Sequence, residues 1–120
     1  MKYFLSQKMN NLSEEEIINN TSEYVKLIKK IDPKLEYVDV FITEKSPTNI
    51  KDDKINVWYL GSSLQKLAEC DILIVVDRCN ESNRGCIIEY ETAKRYGYKI
   101  MYLDTTFKTL IKEEEIKELY

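Results

Sequence analysis

The sequence contains no histidine, and only three of its 120 residues are glycine. Without histidine, acid–base or nucleophilic chemistry near neutral pH must fall to carboxylate, cysteine, lysine or tyrosine side chains. The glycines, Gly61, Gly85 and Gly97, form neither the G-x-G-x-x-G pattern of dinucleotide-binding loops nor the G-x-x-x-x-G-K-[ST] pattern of P-loops. Both glycine-rich phosphate motifs are therefore excluded. Any phosphate has to be held by serines, backbone N–H groups, Lys8 or Arg84.

Cysteines and long apolar runs are also scarce. Cys70, Cys79 and Cys86 are odd in number, and no two have C-x-x-C spacing. We therefore expect no disulfide framework, no zinc site and no other cofactor. The start, MKYFLSQKMNN, has too short an apolar run for a signal peptide, and no segment is long enough to span a bilayer. These features predict a reduced, cytoplasmic protein without a membrane partner.

The chain also lacks a large excess of charge of either sign. Its net charge is −3 at pH 7, which gives no indication of a nucleic-acid partner. A length of 120 residues, of which 43% are hydrophobic, fits one domain covering residues 1–120 with a substantial core.

Apolar periodicity predicts strands that alternate with helices. The predicted strands are Lys2 to Ser6, Leu35 to Ile42, Asp71 to Val76 and Tyr98 to Leu103. The predicted helices are Ser13 to Ile31 (Ser13 and Glu16 forming a capping box), Val57 to Cys70 (broken at Gly61 and restarted by Ser62 or Ser63 as a cap), Gly85 to Tyr96 (ended by Gly97) and Thr106 to Leu119. The polar stretch from Thr43 to Lys54 is predicted to be a flexible loop.

This alternation predicts an α/β fold, a small Rossmann- or flavodoxin-like three-layer sandwich with a parallel sheet of four to five strands. The first strand should be central. Open α/β sheets bind ligands outside the carboxyl ends of their strands. We therefore expect the site where Ser6-Gln7-Lys8 meets the loop after the third strand.

Glu89 is the candidate catalytic residue. It lies one turn into the third predicted helix, whose N-terminal N–H groups can hold an anionic ligand. The alternative is a solvated acid that complements the helix dipole, and spacing alone favours that alternative. The neighbours favour function, because Cys86 and Ala93 lie one turn away on the apolar side, whereas Glu91 belongs to the polar side. Cys79 is a weaker candidate nucleophile, since no histidine is present to activate it.

Three segments resemble the nucleoside 2-deoxyribosyltransferase superfamily, and in particular its short bacterial and phage members. They are YFLSQKMNNLSEEEI, VWYLGSSLQKLAECD and RGCIIEYETAKRYG. The resemblance extends to about Leu103. It implies a Rossmann-like fold, a homodimer or higher homo-oligomer, and the cleavage or exchange of N-glycosidic bonds in nucleosides or nucleotides.

The resemblance also implies roles for individual residues. Glu89, in the Gly-x-x-x-Glu pattern, corresponds to the nucleophile of the superfamily. Asn83 stands where its members have an aspartate or a phosphate-binding serine. Ser63 stands at about the position where the superfamily has an aspartate, which positions the base or protonates the leaving group. These missing acids argue against efficient transfer and are compatible with nucleotide binding. Arg84 is a candidate for binding a phosphate, and Gly85 permits close approach of the backbone to a ligand. The predicted substrate-binding residues are Tyr3, Ser6, Gln7, Ser63, Asn83, Arg84 and Gly85.

A shorter motif, Cys86-x-x-Glu89, is similar to the Cys-x-x-Glu of NAD-cleaving Toll/interleukin-receptor domains. Three functions remain open. The first is an N-glycosidase or transferase with Glu89 as its nucleophile. The second is a non-catalytic nucleotide-binding protein, such as a phage protein that sequesters a signalling nucleotide. The third is an interaction module whose tyrosines and C-terminal helix form a homodimer interface.

Overall fold

A computed structural model describes residues 1–39 and 47–119. Strands and helices alternate along these ranges except that the last two strands follow one another, and a short 3₁₀ turn, Asp52–Lys54, precedes the second helix. The elements are β1 (Lys2–Ser6), α1 (Glu14–Ile31), β2 (Glu36–Tyr37), α2 (Ile55–Leu67), β3 (Ile72–Val76), α3 (Arg84–Arg95), β4 (Lys99–Asp104), β5 (Thr109–Lys112) and α4 (Glu113–Leu119). Within the described ranges, no helix has the length and apolar character needed to cross a membrane.

The strands form one sheet in the order β2-β1-β3-β4-β5. The first four are parallel to their neighbours, and β5 runs antiparallel to β4. This is the strand order of flavodoxin-like sheets, in which the direction of winding reverses between β1 and β3. The predicted α/β fold is confirmed. The first strand lies inside the sheet, next to the edge strand β2, and the central strand is β3 rather than the predicted β1.

The core has two layers because side chains of a strand alternate between its two faces. Helix α1 covers one face, where Ile28 packs against Tyr3 and Leu5. Helices α2 and α3 cover the other face, where Leu67 and Ala93 pack in the same cluster as Phe4, Leu73, Val75 and Ile100. Every residue of β3 is buried, as expected of a parallel strand covered on both faces.

Capping explains where α1 and α3 begin and end. Ser13 and Glu16 form the predicted capping box, with their reciprocal hydrogen bonds at 3.1 and 3.2 Å. Asn83 caps α3, and Gly97 follows that helix in the left-handed region at φ +74°. The predicted bounds of the third helix are confirmed to within one residue.

The predicted final helix is wrong in its first half. Residues Thr109–Lys112 form β5, and α4 begins only at Glu113. A hairpin joins β4 to β5. The Asp104 carboxylate stabilises its turn by accepting the backbone N–H groups of Thr106 and Phe107 at 2.9 and 3.0 Å. Pairing with β4 outweighs the helical pattern that the sequence carries in this segment.

Two other predicted elements differ in their bounds. Helix α2 passes through Gly61 without the predicted break, because its inner face (Leu60, Leu64 and Leu67) is continuous and an isolated helical glycine is tolerated. Strand β2 is only Glu36–Tyr37. Residues 40–46, which include the end of the predicted second strand and the start of the predicted loop, lie outside the described residues.

Candidate functional site

A cleft of about 440 Å³ opens at the carboxyl end of β1, beside the point where the strand order reverses. Its floor includes Phe4 and Leu5, and the segment after β1 and the start of α1 cover it. Its two walls are α2 and α3. The lining residues of these walls are Asn56, Val57, Tyr59, Leu60 and Ser63 on α2, and Arg84, Gly85, Cys86, Ile88 and Glu89 on α3, with Asn83 just before it.

Glu89 lies on the inward face of α3 and contacts the end of β1. The Ser6 hydroxyl donates a hydrogen bond of 2.7 Å to Glu89 Oε1. Ser6 points to this face because it shares strand parity with Phe4, which packs beneath α2 and α3. By contrast, Glu91 is exposed and pairs with Arg95 at 3.6 Å. The structure therefore places Glu89 on the apolar side of the helix rather than on its solvated face.

Burial changes the acidity of Glu89. Desolvation raises the pKa of its carboxyl from 4.5 to about 7, and the hydrogen bond from Ser6 opposes this rise. A carboxyl with such a pKa is part ionised near neutral pH, which suits either a nucleophile or an acid–base group. Strongly shifted carboxyls in clefts are also typical of functional sites.

Two buried thiols support the Ser6–Glu89 contact. Cys79 Sγ donates to the Ser6 carbonyl oxygen at 3.3 Å and lies 3.7 Å from Ser6 Oγ. A hydrogen bond with Cys86 lowers the pKa of Cys79; the same bond and burial raise the pKa of Cys86. Cys79 does not line the Glu89 cleft. The geometry gives it a role in holding the end of β1 and offers no direct access to a ligand in this cleft.

The N-terminus of α3 borders the same cleft. The Asn83 side-chain oxygen accepts the backbone N–H of Cys86 at 3.1 Å, and the residue is 9% exposed. Arg84 is exposed at the rim. First-turn N–H groups have no partner within a helix and attract anions, so this edge favours a negatively charged group. A Cβ on Gly85 would meet the Asn83 side chain at 3.5 Å, an ordinary contact, so space at this position does not require glycine.

Most of the predicted binding residues meet in this cleft. Gln7 lines it and donates to Thr21 Oγ1 at 2.7 Å. Ser63 lines it from the interior of α2, so its predicted role as a helix cap is wrong. Ser6 is fully buried and acts through Glu89.

Two predicted binding residues do not line the cleft: Ser6, which contacts it only through Glu89, and Tyr3. Tyr3 is 1% exposed, and its ring lies 5.8 Å from that of Tyr37 on the α1 face of the sheet. Strand parity explains this position, because Tyr3 and Ser6 are an odd number of residues apart and face opposite sides.

Apart from Ser63, the contribution of α2 to the cleft was not predicted from the sequence. Asn56, Leu60 and Ser63 follow the i, i+4, i+7 spacing of one helix face and all line the cleft. That spacing is visible in the sequence. It was missed because the predicted helix starts at Val57, after Asn56, and breaks at Gly61, between Leu60 and Ser63.

Glu89 is the single carboxyl among the described residues that line the cleft. A pair of acids such as most O-glycosidases use is therefore not present in this part of the chain. No cluster of three or more potential metal ligands occurs in the described ranges. Comparison with models of protein families, with curated proteins and with solved structures found no match to this chain. The function has to be inferred from the residues of the cleft.

Proposed function

We propose that the protein cleaves or transfers the N-glycosidic bond of a nucleoside or nucleotide, with Glu89 as the nucleophile. The observation that carries this proposal is a half-buried carboxyl at the switch point of a flavodoxin-like sheet, fixed through Oε1 by Ser6. Its second oxygen, Oε2, has no hydrogen-bond partner among the described residues. That oxygen is therefore available to a ligand in the cleft.

In this reaction the Glu89 carboxylate acts on the sugar. As the bond between C1′ and the base nitrogen breaks, its electron pair leaves with the base, and positive charge develops on the sugar. Glu89 Oε2 stabilises that charge or forms a bond to C1′. Water or a second base then attacks C1′, the bond from C1′ to Oε2 breaks, and the proton that the attacking group releases passes through solvent to the departed base. The developing cation also favours the ionised form of Glu89, which counteracts the pKa rise caused by burial.

The rest of the cleft fits such a ligand. A volume of about 440 Å³ lies within the range of small-molecule sites, about 300–1,000 Å³. Tyr59, Leu60 and Ile88 supply apolar surface for a base, and Asn56 supplies an amide for its edge. The N-terminus of α3 with Arg84 suits a phosphate. The resemblance of the three sequence segments to nucleoside 2-deoxyribosyltransferases supports the same substrate class.

The proposal is tested by incubating the protein with nucleoside monophosphates, deoxynucleosides and NAD and measuring free base by chromatography. We expect release from at least one class, and loss of that release in Glu89→Gln. Glu91→Gln is the matched control, because Glu91 lies on the same helix but is solvated. No release from any class, or equal release by Glu89→Gln, would refute the proposal.

A second function is a non-catalytic nucleotide-binding protein. It is favoured by Ser63, because a serine in the cleft wall cannot supply the proton that a departing base requires at neutral pH. Such a protein would bind a nucleotide and release it unchanged. Calorimetry followed by chromatography of the recovered ligand separates the two functions, since intact ligand favours binding and free base favours cleavage.

A further inference from the structure

A second cavity of about 430 Å³ lies beside the Glu89 cleft. Asn20 and Tyr24, one turn apart on α1, form one wall. The loop after β3 forms the opposite wall with Asp77 and Ser82. Tyr24 and Val76 pack with the core on the α1 face, whereas the Glu89 cleft is walled mainly by α2 and α3. The two cavities therefore lie on opposite sides of the segment that follows β1.

The second cavity is rich in hydrogen-bonding groups. Four carboxamide side chains line it, together with two hydroxyl groups and one ammonium group, that of Lys8. The side chains of Lys8, Asn11, Asn20 and Tyr24 make no hydrogen bond to any other described residue. Both carboxylate oxygens of Asp77 are already engaged by Thr105, at 2.9 and 2.6 Å. Free amides and hydroxyls with little net charge match an uncharged polar ring such as a nucleobase or a sugar.

The two cavities have lining residues in common. Gln7 and Asn10 line both of them, so a ligand that passes over this segment can occupy both. Doubly wound sheets bind nucleotides in the crevice where the strand order reverses, dinucleotides in the Rossmann order and the mononucleotide FMN in the flavodoxin-like order of this sheet. In the sequence, Lys8 lies between the shared residues Gln7 and Asn10. It provides a positive charge near the carboxyl end of β1.

From this juxtaposition we infer that the ligand is a dinucleotide. Its N-glycosidic half lies in the Glu89 cleft, its second nucleoside lies against Asn20 and Tyr24, and the linking phosphate crosses near Lys8. This inference rests on the proposed nucleotide function and specifies its substrate class. It also explains how a phosphate linker is held in a chain without a glycine-rich phosphate loop.

The test measures binding in Glu89→Gln protein, so that the ligand is not consumed. Calorimetry compares AMP with two dinucleotides, NAD for a diphosphate link and ApA for a single phosphate link. At least one dinucleotide is expected to bind about tenfold more tightly than AMP, since the second half adds hydrogen bonds. Asn20→Ala should remove most of this gain without changing AMP affinity. Asn19→Ala, an exposed asparagine on the same helix, is the matched control and should leave both affinities unchanged.

The outcomes separate this inference from the proposed function. Equal affinities for AMP and both dinucleotides, or a gain that survives Asn20→Ala, would overturn the dinucleotide inference and leave the Glu89 cleft as a mononucleotide site. Binding of none of the three probes would also overturn it. In that case, base release by the wild-type protein decides the proposed function independently.

Discussion

Replacement of Glu89 by glutamine should stabilise the protein at alkaline pH. Folding raises the pKa of this carboxyl from 4.5 to about 7 because of burial, so the folded state holds its proton more tightly than the unfolded chain. Between these two values the folded state binds more protons, and its stability therefore falls as the pH rises. Glutamine has the same shape, can still accept the Ser6 hydroxyl, and carries no charge.

The magnitude follows from the difference between the pKa of 4.5 in the unfolded chain and the pKa of about 7 in the folded protein. At about 1.4 kcal/mol per unit, the ionised carboxylate costs about 3 kcal/mol of folding free energy above pH 7. At pH 5 only about 1 kcal/mol of that cost is present. The stabilisation by Glu89→Gln should therefore grow by about 2 kcal/mol between pH 5 and pH 8, which is about 10 °C in Tm for a domain of this size.

Thermal and urea unfolding at pH 5, 6, 7 and 8 measure this effect. Glu91→Gln serves as the control, because Glu91 is exposed on the same helix and its replacement should give no gain that grows with pH. A constant difference between Glu89→Gln and the wild type across this range would mean that the Glu89 carboxyl is solvated. The desolvated carboxyl on which the proposed chemistry depends would then not exist.

Three further substitutions test separate parts of the structure. Ser6→Ala removes the hydrogen bond to Glu89, so we expect the pKa of Glu89 to rise further, and the pH profile of base release should move to higher pH. Asn83→Ala removes the cap of α3 and should cost about 1 kcal/mol in urea unfolding, whereas Asn83→Ser should restore most of it. Lys108→Gly should stabilise the fold by about 1 kcal/mol, because Lys108 is exposed in the left-handed region at φ 53° and glycine adopts this region without strain. No gain from this change would argue against the hairpin that precedes β5.

The parts that were predictable from the sequence are those with strong local patterns. The apolar run Ile72–Val76 identified a strand buried on both faces, and the Ser13–Glu16 pair marked the start of α1. The inward position of Glu89 followed from Cys86 and Ala93, each one helical turn away. These signals depend on neighbours in the chain, so they could be read without the fold.

Features that depend on distant pairing could not be predicted in this way. β5 exists because Thr109–Lys112 pairs with β4, whereas its own sequence continues into the helix-favouring acids of α4. The contact of Ser6 with Glu89 spans 83 residues and depends on which face of β1 is covered by α3. The second cavity similarly required knowledge of how α1 packs against the loop after β3.

The rate of base release by Glu89→Gln tests the central claim most directly. With a substrate that the wild type cleaves, this variant should lower kcat by about 10³-fold or more, because the charge that stabilises the sugar cation is lost. Glu91→Gln should stay within about twofold of the wild type, as expected for a solvated surface residue. A Glu89→Gln protein that is folded and releases base at the wild-type rate would contradict the assignment of Glu89 as the nucleophile.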